Sequence, residues 1–185
     1  MPVLFKNEKN MKKIFSKHSI LFFFTLFSCV LCTKDDLLRN TREDYIGDNL
    51  RIDGFYYDYY QGKIQNVIFL YRNGIYFLVN GDGKERTSPD EVKTLLTEEH
   101  IKSCRTWKLD WGIFIIKDND ILIEKWSSTG AGWKTTVTEL GTILNDTSFT
   151  ITKRGKSQTG IKDAYYEYFF YPYSPKPDST NSYIK

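Results

Sequence analysis

The chain has 185 residues, 26 of them basic and 23 acidic, for a formal charge of +3, with 13 tyrosines, 13 phenylalanines and four tryptophans. That positive balance sits at the start. Residues 1–28 hold five lysines and one glutamate, leaving 21 basic and 22 acidic residues behind them. Beyond residue 28 no basic stripe remains, which removes the electrostatic footprint of a nucleic-acid binder. Three cysteines lack metal-ligand spacing and His100 is the only histidine after residue 28, so zinc chemistry has almost nothing to build on.

The first element is a leader. Met11, Lys12 and Lys13 open a charged segment that ends near Lys17 and His18, and residues 20–27 are apolar apart from Thr25. A positive region followed by a short apolar run is the layout of a secretory signal peptide, and Met11 is the expected true start. Eight such residues rise roughly 12 Å as a helix, against the roughly 20 residues a bilayer span needs. The run ends in Leu26-Phe27-Ser28-Cys29, which resembles the lipobox of bacterial lipoproteins: a leucine three before the cysteine and a small residue just before it. The resemblance implies cleavage before Cys29 and acylation there, with membrane lipid as a partner; several acyl chains anchor stably where one does not. Cys32, preceded by the bulky Leu31, fits the pattern less well. Lys34-Asp35-Asp36 resembles the export signal that the Bacteroidota place after a lipidated cysteine, and it also reads as a charged tether. The expected location is the outer membrane, with the periplasmic or surface face left open. An oxidising envelope permits a Cys32–Cys104 disulfide.

Residues 33–49 are polar and charged with little periodicity, and residues 29–49 read as the lipidated N-terminus and a flexible tether. A β-rich domain is expected over 50–175 and a short tail over 176–185. Strands are predicted at 51–60 (RIDGFYYDYY), 66–71 (NVIFLY) and 75–79 (IYFLV), the last two around Asn73-Gly74, a type I′ turn signal. Ser88-Pro89-Asp90-Glu91 has the outline of a capping box, and Val92, Leu95 and Leu96 share a helical face, so one short helix is predicted near 89–100. Further strands follow at 112–117, 121–126, 133–140, 148–153 and 164–171. About eight consecutive, tightly linked strands argue an antiparallel meander, closed as a barrel or strongly curved.

Motifs for chemistry are weak. Gly81-Asp82-Gly83-Lys84 lacks the spacing and the following Ser or Thr of a phosphate loop. Asp118, Asp120 and Glu124 lack the central glycine of a calcium loop. His100 has no strained nucleophile beside it, and Cys104 is near it only in sequence. Paired carboxylates for glycoside hydrolysis have no motif in their favour.

The aromatic surplus says more. The strands around 67–71, 75–79, 112–116 and 165–171 are apolar on both faces, so the face that does not fill the core must be covered by the helix, a partner or a ligand. The segments 50–57 (LRIDGFYY), Arg72-Asn73-Gly74, 141–151 (GTILNDTSFTI) and 174–179 (SPKPDS) resemble small lipocalin-like lipoproteins of the Bacteroidota across nearly all of the domain. The helix between the third and fourth strands departs from standard lipocalins, which carry theirs after the barrel. That resemblance implies a fold and a compartment. The expected function is a non-enzymatic module binding a small apolar or glycan ligand. The alternative is an interaction protein presenting an aromatic surface to another envelope protein. Bulk and strand position nominate Tyr57, Tyr71, Trp111, Trp126, Trp133 and Tyr168 as ligand contacts.

Overall fold

The computed structural model describes residues 35–130, 132–156 and 159–185. Eight strands form a closed antiparallel barrel in sequence order: β1 (Gly54–Tyr60), β2 (Lys63–Leu70), β3 (Ile75–Val79), β4 (Trp111–Lys117), β5 (Asp120–Ser128), β6 (Lys134–Asn145), β7 (Ser148–Lys156) and β8 (Gly160–Pro172). The last strand returns to the first, pairing Tyr56 with Phe170 and Gly54 with Pro172, so no edge is left unpaired. The predicted fold class and strand count hold.

The predicted single helix is two. α1 (Pro89–Val92) and α2 (Glu98–Arg105) are separated by residues 93–97, and a 3₁₀ turn (Lys108–Asp110) leads into β4. Thr97 starts the second helix by accepting from the His100 amide, a cap that interrupts any continuous helix to residue 100. The capping box is displaced as well. Ser88 Oγ accepts from the Glu91 amide, but the Glu91 carboxylate reaches back to the Thr87 amide at 2.8 Å.

Turn chemistry also shifts. Gly74 has φ +73 and follows a turn in which its amide bonds the Tyr71 carbonyl, with Tyr71 N bonded to Ile75 O. Only Gly74 is left-handed there, so this is a longer turn ending in a glycine bulge. A Cβ at Gly74 would lie 2.1 Å from the Glu43 carbonyl, so packing as well as backbone fixes the residue. Two consecutive positive-φ residues, the mark of a type I′ turn, occur at Gln61 and Gly62 between β1 and β2.

Alternation along the strands creates two apolar layers. One fills the barrel: Leu50, Tyr56, Ile68, Leu70, Phe114, Ile121, Ile123, Ile143, Phe149, Ile151 and Tyr168. The other lies outside β1–β5, where Phe55, Phe69, Phe77, Trp111 and Trp126 pack with Leu95, Leu96, Ile101 and Cys104, and with Tyr173, Tyr183 and Ile184 of the tail. The second apolar face of these strands is therefore covered by the chain's own β3–β4 connection and C-terminus.

Residues 35–53 hold no helix and only irregular backbone, yet they are bonded along much of their length. Asp36 N donates to Lys134 O, and Tyr45 N donates to Arg72 O. Glu124, fully buried on the outer face of β5, accepts from the amides of Arg39 and Asn40 and from Asn40 Nδ2. Composition assigns the part of this stretch up to residue 49 to a tether. Its lack of periodicity comes from being held by backbone bonds to the barrel and by single apolar anchors such as Tyr45 and Leu50 rather than by a continuous apolar face.

Candidate functional site

The barrel has two unlike ends. The turns at 71–74, 118–119 and 146–147 gather at one, and residues 35–53, a strap along the barrel, stop it: Tyr45 and Leu50 enter the interior, tied by a bond from Leu50 N to Tyr45 Oη at 2.8 Å. At the other end, beneath the β3–β4 connection, a cleft of about 260 Å³ is lined by Asn66, Asn80, Trp107, Asp110, Lys125 and Arg154, with Leu78, Leu109, Trp126, Ser127 and Ser128 completing it.

Strand register places charges at this mouth. Lys125 pairs with Gly112 and Val137, and follows Ile121 and Ile123 on the inward face of β5. Glu139 on β6 lies opposite Ile123 and so also points inward. Arg154 needs a further device. The β6–β7 register slips between Leu140↔Lys153 and Gly141↔Ile151, so β7 carries one extra residue, Thr152. A bulge of this kind reverses which residues face in, and it turns Arg154 rather than Lys153 toward Glu139. Gly141 permits the close approach, since a Cβ there would lie 1.8 Å from the Thr150 carbonyl.

The resulting network is compact. Glu139 lies 3.2 Å from both Lys125 Nζ and Arg154 Nε, and Lys125 Nζ donates to Tyr76 Oη at 3.1 Å. Asp58, inward on β1, accepts from Asn66 N and Nδ2 at 2.7 and 2.8 Å, and burial raises its pKa against those bonds. Desolvation likewise pushes the fully enclosed Tyr76 hydroxyl well above its ordinary range. Asp110 is only half satisfied. Asn80 Nδ2 donates to its Oδ1, while Oδ2 is buried without a partner, and burial pushes the carboxyl up to about 6. A buried carboxylate lacking one set of donors is costly, which makes this atom the least settled in the cleft.

The described residues also form a groove of about 620 Å³ between the strap and the outer faces of β4–β7 and a hollow of about 290 Å³ beside residues 43–49. Neither is lined by any of the three side-chain atoms buried without a hydrogen bond among the described residues: Tyr71 Oη, Asp110 Oδ2 and Glu139 Oε2, the last of which is ion-paired with Lys125.

The cysteine and histidine do meet. His100 Nε2 lies 3.5 Å from Cys104 Sγ, but it also lies 2.7 Å from the Asn80 carbonyl. A carbonyl only accepts, so Nε2 carries the proton and is no base for the thiol. Burial raises the thiol pKa as well, which keeps it protonated. Asp82, in the glycine-flanked loop, binds Arg86 through both oxygens at 2.8 and 3.0 Å, so that loop is a surface clasp. Among the described residues no cluster of His, Cys, Asp and Glu could hold a metal.

The nominated ligand contacts are dispersed. Trp111 is buried outside the barrel, stacked 4.5 Å from Phe77 and bonded to the Arg105 carbonyl. Tyr57 and Tyr71 belong to the same outer layer, with Lys176 Nζ 4.4 Å over the Tyr71 ring. Tyr168 is inside, 4.8 Å from Phe149. Trp133 is half-buried just before β6. Trp126 alone of the six lines the cleft, its Nε1 donating to Asp36 O and one ring face covered by Lys108. Cys29 and Cys32 lie outside the described residues, and Cys104 forms no disulfide among those described.

Sequence reasoning passed over Asp58, Trp107, Asp110, Lys125, Glu139 and Arg154. A signal existed for Lys125, a charge in register with Ile121 and Ile123. None existed for Arg154, whose direction depends on the bulge. The chain matches no family model, no curated protein and no solved structure, so the chemistry of this mouth rests on its own geometry.

Proposed function

We propose that the protein is a lipid-anchored envelope lipoprotein, attached through acylated Cys29, whose lipocalin-like barrel is a non-enzymatic module that binds a small glycan-type ligand at its charged mouth. The observation that carries this reading is the cleft itself. It presents hydrogen-bonding groups of both signs beside Trp107, which is 61% exposed. Sugars need both a flat apolar surface and paired donors and acceptors. The apolar ligand is the weaker option, because the barrel interior below is filled by its own side chains. The cleft is smaller than the roughly 300–1,000 Å³ of drug-sized sites, which suits a single ring.

A second reading, an interaction surface, draws on the outer face of β1 and β8. Tyr59 lies 5.4 Å from Tyr57 and 6.4 Å from Phe169, and Tyr165 is prominently exposed.

Two measurements test the first reading. Clickable fatty acid should label the chain in cells and fail to label Cys29→Ala; equal labelling overturns the anchor. Tryptophan fluorescence of the detergent-solubilised chain, titrated with a monosaccharide panel, should change and saturate. Trp107→Ala should weaken the response about tenfold, the scale of one stacking contact. An unaltered affinity moves the site elsewhere.

A further inference from the structure

The charges at the mouth do not cancel. Two cations, Lys125 and Arg154, face the interior with three carboxylates, Asp58, Asp110 and Glu139. Both cations are engaged by Glu139. Asp58 takes two N–H groups from Asn66. Asp110 receives one from Asn80, and no cation bonds it among the described residues. Asp58 and Asp110 thus both lack a cationic partner, and of the two only Asp110 has a carboxylate oxygen, Oδ2, that is sealed from solvent with no donor.

The wall beside it is uneven. Asp110 is 1% exposed, whereas Trp107, three residues earlier in the same 3₁₀ turn, is mostly exposed and has only its backbone bonded to the fold. Trp107 and Asp110 line the same cleft, so a ligand held against the indole lies beside the carboxyl. Resting on the reading of the mouth as a sugar site, we propose that its preferred ligand is an amine-bearing sugar, whose ammonium group binds Asp110 Oδ2 while the ring stacks on Trp107. An ammonium has only donors, so it satisfies the orphan oxygen and supplies the missing positive charge in one contact. A sugar acid would bring a fourth carboxylate to a site that already has one too many. A neutral sugar could satisfy the hydrogen bond but would leave the charge unmatched.

Calorimetry on the detergent-solubilised lipidated chain at pH 7, with glucosamine, glucose and glucuronate as probes, decides this. Glucosamine should bind about tenfold more tightly than glucose, the scale of a charge-assisted bond over a neutral one, and glucuronate should bind most weakly. Asp110→Asn should reduce the glucosamine-to-glucose ratio to near one. This variant removes a buried charge without a cationic partner, and a cooperative unfolding transition confirms that it folds. If glucosamine and glucose bind equally, or glucuronate binds best, while Trp107→Ala still weakens binding, the amine preference is wrong and the sugar site stands. If no probe binds, both fall.

Discussion

Leu50, Leu70, Phe149 and Ile151 fill the stopped end of the barrel, while Asp58, Lys125, Glu139 and Arg154 occupy inward positions toward the mouth. Both ends belong to the same eight strands and obey the same alternation, so backbone architecture does not distinguish them. Side chains do. At the stopped end every inward group gains by leaving water. At the mouth, charged groups lose hydration, and their mutual pairing returns only part of it. One end holds the barrel closed, and the other keeps chemistry available at some cost in stability.

The largest test breaks the stopped end. Phe149 is fully buried, stacked on Tyr168 at 4.8 Å and tilted against Tyr56 at 5.2 Å. Phe149→Ala leaves a cavity that paired strands on either side cannot collapse, and should cost about 3–5 kcal/mol in denaturant unfolding. A cost below about 1 kcal/mol would mean that the interior is looser than its packing implies.

The mouth should respond differently to single and paired changes. Glu139→Gln leaves Lys125 enclosed without its carboxylate and should cost about 3 kcal/mol. Replacing both, Lys125→Met with Glu139→Leu, should recover most of that loss. If the double variant is as unstable as the single one, the loss traces to Arg154, which Glu139 also engages, rather than to Lys125. The strap offers a smaller effect. Glu124→Gln weakens three bonds to Arg39 and Asn40 and should cost about 2 kcal/mol, with hydrogen exchange rising at residues 36–42 first.

These contrasts mark how far the sequence reaches. Strands were legible because each is a short apolar run bounded by turn residues, as Ile75–Val79 is between Gly74 and Asn80. The second apolar layer was legible as a requirement, since Phe69 and Phe77 need cover. What supplies the cover was not, because the tail residues Tyr173, Tyr183 and Ile184 carry no periodicity pointing to their docking site. The mouth was least legible. Asp110 and Asn80 lie 30 residues apart in sequence and meet only through the fold, and Arg154 is aimed by a bulge that no residue type announces.

The smallest effect is the most pointed, because it has the opposite sign to the others. Burial raises Asp110 from its ordinary 3.8 to about 6, so the folded chain binds this proton more tightly than the unfolded chain does. Between those two values stability therefore falls as pH rises, and above about 6 the full penalty remains. The groups around the carboxyl are Asn80 and Tyr76 at β3, His100 and Cys104 on α2, and Lys125 and Arg154 across the cleft; none bonds Oδ2. Asp110→Asn should accordingly stabilise the protein by about 1–2 kcal/mol at pH 7.5 and by almost nothing near pH 4, where the acid is already neutral. Urea midpoints at the two pH values read this directly. Destabilisation at pH 7.5 would show that the charge is compensated within the fold, and the difference between the barrel's two ends would then lie in shape alone. A gain that grows between about pH 4 and 6 and is complete above 6 places the unmet charge at the mouth, where an arriving ammonium group would find it.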